Sequence, residues 1–183
     1  MQGIGTNTIE TKRLILRRME ATDALMIYNN WASDTLVTRY LTWNTHQSLD
    51  VTKEYVDYKV NRYPGHEYCF DWVVALKDTN ELIGEIEAIE VSRAHKLVEM
   101  GYCFGSKYWN QGYATEALEA FIDYMFQKVQ VDKIIACHIG PNKASGRVME
   151  KAGMHFDGAL PKYFVDKNTG LREDKVCYSI DRL

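Results

Sequence analysis

The order of apolar patterns between residues 69 and 139 constrains the fold more than any other feature of the chain. Two β-type runs flank the turn KDTN at 77–80, and a third run, LVEMGYCFG, follows a polar loop, which predicts three neighbouring antiparallel strands. A helical pattern over 114–127 and the short apolar run KIIACHI come next. Because a strand, a helix and a strand in succession usually pair in parallel, the sequence predicts a mixed sheet.

The remaining elements extend this sheet towards both termini. RLILRRM at 13–19 alternates apolar and basic residues as a half-buried strand does, and the segment 21–63 is predicted to be mostly helical. NKASGRVMEKAGM predicts a short helix closed by Gly153, and a hairpin should turn at 168–170. With 183 residues, 46% of them apolar, the chain is expected to form a single domain over 1–183.

Charge and residue spacing exclude several functional classes. A formal charge of only -3 provides no basic field, so we expect no nucleic-acid partner. No apolar run approaches the length of a membrane span, so we expect no membrane association and a cytoplasmic location. The histidines are not clustered at metal-ligand spacing, which predicts no metal site. Four widely spaced cysteines are expected to be reduced thiols: Cys69, Cys103, Cys137 and Cys177.

The stretch YWNQGYATEALEAF at 108–121 places Gly112 directly before the central helix. Backbone N–H groups and the positive end of the helix dipole meet an anion at such a position. The dipole contributes up to ~2 kcal/mol and each hydrogen bond to a charged group ~1.5–3 kcal/mol. The alternative is that Gly112 only permits a tight turn. GYCFGSK lacks the spacing of a Walker loop, and GIG at 3–5 lacks the third glycine of a dinucleotide fingerprint.

This stretch resembles the pyrophosphate loop of the GNAT superfamily of N-acetyltransferases, Gln/Arg-x-x-Gly-x-Gly/Ala, although Trp109 stands at its first position. Five fragments resemble the RimJ/RimL-type branch in family order and together cover nearly the whole chain: TKRLILRR, DTLVTRYLTW, GYCF, YW.QGYATEA and NKAS...MEKAGM. The resemblance implies an α/β (α+β) GNAT fold. Its central sheet would be mixed and mostly antiparallel, with about seven strands splayed between the fourth and fifth, and helices on both faces.

The resemblance also implies that acetyl-CoA is the cosubstrate and that it lies in the splay. Its pantetheine arm would bond to the main chain of Tyr102, Cys103 and Phe104 in the manner of an added strand. Asn142 would bond the pantetheine amide, with Ser145 close to the sulfur. The diphosphate would be held by main-chain N–H groups of Gln111, Gly112, Tyr113, Ala114 and Thr115.

A carboxylate is predicted to deprotonate the acceptor amine. Glu99 lies four residues before Cys103, the offset of the base glutamate in histone-acetylating members of the superfamily, and alternation places Glu99 and Cys103 on one face. The alternative is a solvent-facing edge glutamate. Glu85 and Glu87 also share a face, as an acidic wall that attracts a cationic acceptor or as a solvated strand surface.

The departing thiolate needs a proton, and many family members provide a tyrosine about where Met149 stands here. Since methionine cannot donate a proton, the resemblance transfers this role to Ser145, with Tyr163 as a less closely placed candidate. Ser145 is also a candidate helix cap near Asn142, which is compatible with that role.

The resemblance therefore implies an N-acetyltransferase that moves an acetyl group from acetyl-CoA to a primary amine by direct attack. The acceptor would be a protein N-terminus, as in ribosomal-protein alanine/serine N-acetyltransferases, or a small-molecule amine. A non-catalytic acyl-CoA-binding sensor or interaction module is the alternative, because Met149 replaces the usual tyrosine. A homodimer is expected on the resemblance alone. Acceptor specificity is expected to lie in the helical segment 21–63 and the last hairpin.

Overall fold

The structure is a computed structural model that describes residues 1–182. Within these residues all strands form one sheet in the order β1-β2-β3-β4-β5-β6-β8-β7. The strands are β1 (Ile9–Glu10), β2 (Leu14–Arg17), β3 (Asp71–Leu76), β4 (Leu82–Ser92), β5 (Leu97–Phe104), β6 (Lys133–Ile139), β7 (His155–Val165) and β8 (Arg172–Asp181). The predicted mixed sheet is confirmed, because β5 and β6 pair in parallel and the other pairs are antiparallel.

The eighth strand, compared with the seven expected, is the two-residue β1, which is too short for an alternation pattern to reveal. It pairs with β2, where Leu14 and Leu16 are fully buried as the predicted alternation requires.

The helices are α1 (Ala24–Ile27), α2 (Thr35–Thr38), α3 (Leu49–Asn61), α4 (Tyr113–Tyr124) and α5 (Lys143–Lys151). A π-helical turn, Tyr28–Ala32, continues α1, and a second one, Met125–Val129, continues α4. Ser48 caps α3 by accepting a hydrogen bond from the amide of Val51, and Gly153, with φ +87°, follows α5 in a left-handed conformation. These boundaries confirm the predicted helices.

Two apolar cores cover opposite faces of the sheet. One face packs against α4, where the predicted stripe of Leu118, Phe121, Ile122 and Met125 is buried. The other face packs against α1 and α3 and includes Trp31, Val56 and Cys103. Successive residues of one strand therefore pack alternately into the two cores.

Within residues 1–182, no helix combines the length and the apolar character needed to cross a membrane.

Candidate active site

The parallel pair β5–β6 is only half formed. β5 pairs with β4 along its full length, but its pairing with β6 runs only from Leu97 opposite Lys133 to Met100 opposite Ala136. Beyond this point, 101–104 has no strand partner on the β6 side among the described residues. The predicted splay between these strands is therefore present. Its β5 wall offers main-chain N–H and C=O groups to an extended ligand that carries amides.

The N-terminus of α4 is the second feature of this opening. Gly112 has φ +81°, a left-handed conformation that favours glycine, and it follows Asn110, which has φ +60°. The amide of Glu116 donates to the carbonyl of Gly112 at 3.0 Å. The backbone N–H groups that precede Glu116 have no carbonyl acceptor within α4, because they belong to the first turn of the helix. They are therefore available to an anion.

Arg13 fastens this turn to β2, a contact that the sequence did not reveal. Its Nε lies 2.6 Å from a carboxylate oxygen of Glu116, and a terminal nitrogen donates to the carbonyl of Gln111 at 2.9 Å. The guanidinium also stacks over the ring of Tyr113 at 4.4 Å from its centroid. A cation therefore lies beside the first turn of α4 and offsets the negative charge of Glu116.

Three of the residues predicted to contact the cosubstrate meet where β5 faces α5. Asn142 is the N-cap of α5, and its side-chain amide donates to the Ser145 hydroxyl at 2.9 Å. The Tyr102 hydroxyl donates to the Ser145 carbonyl at 3.0 Å. Burial raises the pKa of Tyr102, so this phenol stays protonated. Met149 is buried in the core and offers no proton.

Glu99 lies on the α3 side of the sheet with Gly101 and Cys103, as alternation predicts. Its carboxylate forms an ion pair with Lys175 of β8 at 3.2 Å, and the ammonium of Lys175 also lies 5.2 Å from the ring centroid of Tyr163. The side chain of Glu99 is 28% exposed, so it is neither a freely solvated edge residue nor a deeply buried one. Glu99 therefore has a charged partner before any substrate binds.

Glu85 is a buried carboxylate of this face, so the interpretation as a solvated strand surface is wrong for it. It is only 7% exposed and lies opposite Cys103 in the β4–β5 pair. The Tyr55 hydroxyl donates to one carboxylate oxygen at 2.8 Å, and the Cys103 thiol donates to the other at 3.5 Å. Burial, helped by the negative charge of Glu87, raises the pKa of Glu85 to about 7 even though Lys59 opposes the shift.

Lys59 connects the buried acids beneath α3. Its ammonium hydrogen-bonds to Glu87 and lies 3.6 Å from Asp71, which also pairs with Arg62 at 3.2 Å. Coulombic attraction to these acids outweighs desolvation and raises the pKa of Lys59, so it remains charged. The periodicity of α3 did not indicate this cluster, because a buried lysine resembles a surface residue in the sequence.

Cys103 is a poor nucleophile in this setting. Burial and the neighbouring Glu85 raise the pKa of its thiol well above the ordinary value. A low thiolate fraction disfavours an acyl-cysteine intermediate, which agrees with direct transfer.

The β7–β8 turn reaches across to the segment between α2 and α3. Lys167 donates to the carbonyl of Trp43, and Asn168 donates to the carbonyl of Arg39 at 3.0 Å. The rings of Trp43 and His46 lie 5.3 Å apart, and the rings of His46 and Tyr55 lie 5.7 Å apart. An aromatic row therefore leads from this turn to the hydroxyl that bonds Glu85.

Comparison with protein families gives one match over most of the chain. The profile of the Acetyltransferase (GNAT) domain family matches residues 13–155. The N-acetyltransferase YoaA of Bacillus subtilis, itself uncharacterised, is 29% identical over 161 residues, which cover 88% of this chain and 90% of the relative.

Two further comparisons agree with this match. The [ribosomal protein uS5]-alanine N-acetyltransferase of Escherichia coli is 30% identical over 89 residues, which cover 48% of this chain and 46% of that enzyme. The crystal structure of a GNAT-family acetyltransferase from Bacillus anthracis superposes with a TM-score of 0.83 at 29% identity, covering 96% of this chain and 98% of the other.

Proposed function

We propose that this chain, which belongs to the acetyltransferase (GNAT) family and is an acyl-CoA-dependent N-acetyltransferase, binds acetyl-CoA between β5 and β6. The observation that carries this proposal is the end of the β5–β6 pairing at Met100 and Ala136. The free edge of 101–104 fits the amides of a pantetheine arm, because it is already extended and is paired only with β4.

The N-terminus of α4 suits the diphosphate of the same ligand. The left-handed Gly112 places no side chain at the mouth of the turn, and the amides of 111–115 precede the first bonded amide of the helix, that of Glu116. Arg13 adds a cation beside them without a lysine in the loop itself. We therefore assign the pantetheine amide to Asn142 and the sulfur to Ser145, and the diphosphate to the amides of Gln111, Gly112, Tyr113, Ala114 and Thr115.

The acceptor must lose a proton before its nitrogen can attack the thioester carbonyl. An α-amino group with a pKa near ~8 is neutral in roughly one molecule in ten at pH 7, whereas a lysine-type amine with a pKa of ~10.4 is neutral in roughly one in two thousand. A carboxylate on the Cys103 face serves as the base, and Glu99 and Glu85 are the two candidates. Ser145, held by Asn142, and the nearby Tyr102 phenol serve the departing sulfur.

The proposed acceptors are a protein N-terminal amine, as the name of the uS5-alanine relative suggests, and a small primary amine. Acidic side chains on the Cys103 face, Glu85, Glu87 and Glu99, favour a cationic amine of either kind. Such a reaction belongs inside the cell, where acetyl-CoA is made. We also propose a homodimer through the edge strand β7, which exposes Phe156, Leu160 and Val165.

A thiol-release assay tests the transfer. The protein is mixed with acetyl-CoA and a panel of N-terminal peptides, polyamines, amino acids and aminoglycosides, and free CoA thiol is followed over time. We expect at least one amine class to give turnover. The buried Met149 favours one rival, an acyl-CoA sensor, and CoA binding without turnover on every amine class would support it.

A further inference from the structure

The two carboxylates on the Cys103 face have different partners. Glu99 faces a cation, since Lys175 lies 3.2 Å away. Glu85 is bonded only by the neutral donors Tyr55 and Cys103. The only ammonium beneath α3 among the described residues, that of Lys59, makes its contacts with Glu87 and Asp71.

These partners mean that a proton would change different contacts at the two carboxylates. Protonation of Glu99 would break an ion pair, and Lys175 would be left with an uncompensated charge. Protonation of Glu85 would remove a buried charge that no cation contacts directly, while the Tyr55 and Cys103 oxygen and sulfur atoms can remain in place. Glu85 is therefore the better proton acceptor.

The position of Glu85 also suits this role. It lies directly across the β4–β5 ladder from Cys103, the middle residue of 102–104, whose other edge lines the opening between β5 and β6. Directly opposed residues on antiparallel strands are about 4.5–5.5 Å apart at Cα. Cys103, whose thiol donates to Glu85 at 3.5 Å, lies between this carboxylate and the opening, and proton transfer past Cys103 through water is the route that the assignment requires.

We infer that Glu85, and not Glu99, is the general base that takes the proton from the acceptor amine, with Tyr55 as its positioning residue. The inference rests on the proposed acetyl transfer. The carboxylate of Glu85 accepts one proton from the ammonium, and the neutral nitrogen forms a bond to the acetyl carbon while the carbon–sulfur bond breaks. The second proton lost by nitrogen goes to the departing sulfur, which leaves as a thiol, and Glu85 returns its proton to solvent.

Every element packed against Glu85 contributes to its proton affinity. Helix α3 presents the Tyr55 hydroxyl and the Lys59 ammonium, and β5 presents the Cys103 thiol. Glu87 of the same strand adds a negative charge. From β3, Asp71 belongs to the same cluster, 3.6 Å from the Lys59 ammonium. Burial dominates this balance, and the pKa of Glu85 rises to about 7.

Three glutamate-to-glutamine variants test the assignment through the pH dependence of kcat/KM with an amine identified in the thiol-release panel. The wild type should lose activity below about pH 7, as Glu85 becomes protonated. E85Q should lower kcat/KM about 100-fold near neutral pH and replace the limb near pH 7 by one at the pKa of the amine, so that activity recovers towards wild type at high pH, where the amine loses its proton unaided. CoA affinity and thermal melting check that E85Q is folded.

E90Q is the matched control, because Glu90 lies on the same strand and is exposed. It should keep both the rate and the acidic limb. E99Q is the rival variant, and it should keep the acidic limb whatever its rate. Loss of the limb in E99Q with its retention in E85Q would overturn the inference and leave the transferase function intact. Absence of turnover in the wild type on every amine would overturn both.

A further variant, Y55F, should shift the acidic limb of the wild-type profile while the Glu85 carboxylate stays in place. The Tyr55 hydroxyl bonds the charged form of Glu85 and so lowers its pKa. Y55F should therefore shift the acidic limb of kcat/KM to higher pH, a change that a merely structural loss would not produce. An unshifted limb in a folded Y55F protein would contradict the assignment.

Discussion

The Tyr102 hydroxyl donates a hydrogen bond to the Ser145 carbonyl at 3.0 Å, and this contact joins α5 to the end of β5 that is not paired with β6. The contact places the protonated Tyr102 hydroxyl beside Ser145, the residue that we assign to the departing sulfur. Met149 has no proton to donate to that sulfur.

Removal of that hydroxyl should loosen the joint between β5 and α5. We expect Tyr102→Phe to lower the free energy of unfolding by about 1 kcal/mol, the usual contribution of one hydrogen bond. Urea denaturation measures the change. Tyr58→Phe is the control, because Tyr58 is 62% exposed and its hydroxyl has no hydrogen bond within residues 1–182. The Tyr58→Phe protein should be as stable as wild type. Equal stability of Tyr102→Phe and wild type would count against the contact.

Gly112 should matter for binding as well as for stability. A side chain at φ +81° costs about 1–2 kcal/mol, so Gly112→Ala should distort the turn and weaken CoA binding about tenfold. Calorimetric titration gives the affinity. Gly65→Ala is the matched control: Gly65 has φ +73° with nothing within 4 Å of an added Cβ. It should lose similar stability and keep wild-type affinity. A similar loss of affinity in both variants would contradict a specific role for Gly112.

Lys59 should be essential to the layer beneath α3. Lys59→Met leaves Glu87 without its cation and removes one of the two cations beside Asp71, and we expect the loss of about 3–5 kcal/mol of stability. Lys53→Met on the same helix removes an exposed pair with Asp50, whose side chains are 56% and 83% exposed, and should cost less than about 1 kcal/mol. Guanidinium denaturation of both variants gives the comparison, and similar losses would show that the buried cluster does not stabilise the fold.

Glu85 should also make stability depend on pH. Its pKa rises in the folded state from an ordinary value of 4.5 to about 7, so the stability that the protonated group contributes is fully present below about pH 4.5 and is lost as the pH rises to about 7. Across this window, wild type should lose about 3 kcal/mol relative to E85Q. Urea denaturation of both proteins at the two ends of the window measures the difference. A constant difference would mean that Glu85 titrates normally.

The element order, the opening between β5 and β6 and the left-handed turn at Gly112 could be predicted, because strand alternation, capping residues and the glycine before α4 are local signals and the family resemblance supplied the splay. The buried face of α3 could not. In this helix Val51, Tyr55, Tyr58 and Val60 recur at roughly helical spacing. Val51 and Tyr58 are nevertheless exposed, while Val56 and Lys59 are buried. Lys59 is buried because it forms ion pairs with Glu87 and Asp71 on two neighbouring strands. These partners are distant in the sequence, so no local pattern indicates the burial.

The same limit applies to the candidate base. In the sequence, Glu85, Glu87 and Glu99 look alike as strand glutamates. The structure separates them, because α3 buries Glu85 and raises its pKa, whereas Lys175 forms an ion pair with Glu99. The adjacency of Cys137 and Cys177, which face each other across β6 and β8, was likewise invisible in widely spaced cysteines.

Isothermal titration of the folded protein with acetyl-CoA and with CoA tests the account most directly. The open β5 edge and the first turn of α4 predict heat from both ligands, one site per chain, and a weaker affinity in Gly112→Ala. No heat from either ligand at millimolar concentration would contradict the assignment of this opening to coenzyme A, and the proposed site chemistry with it.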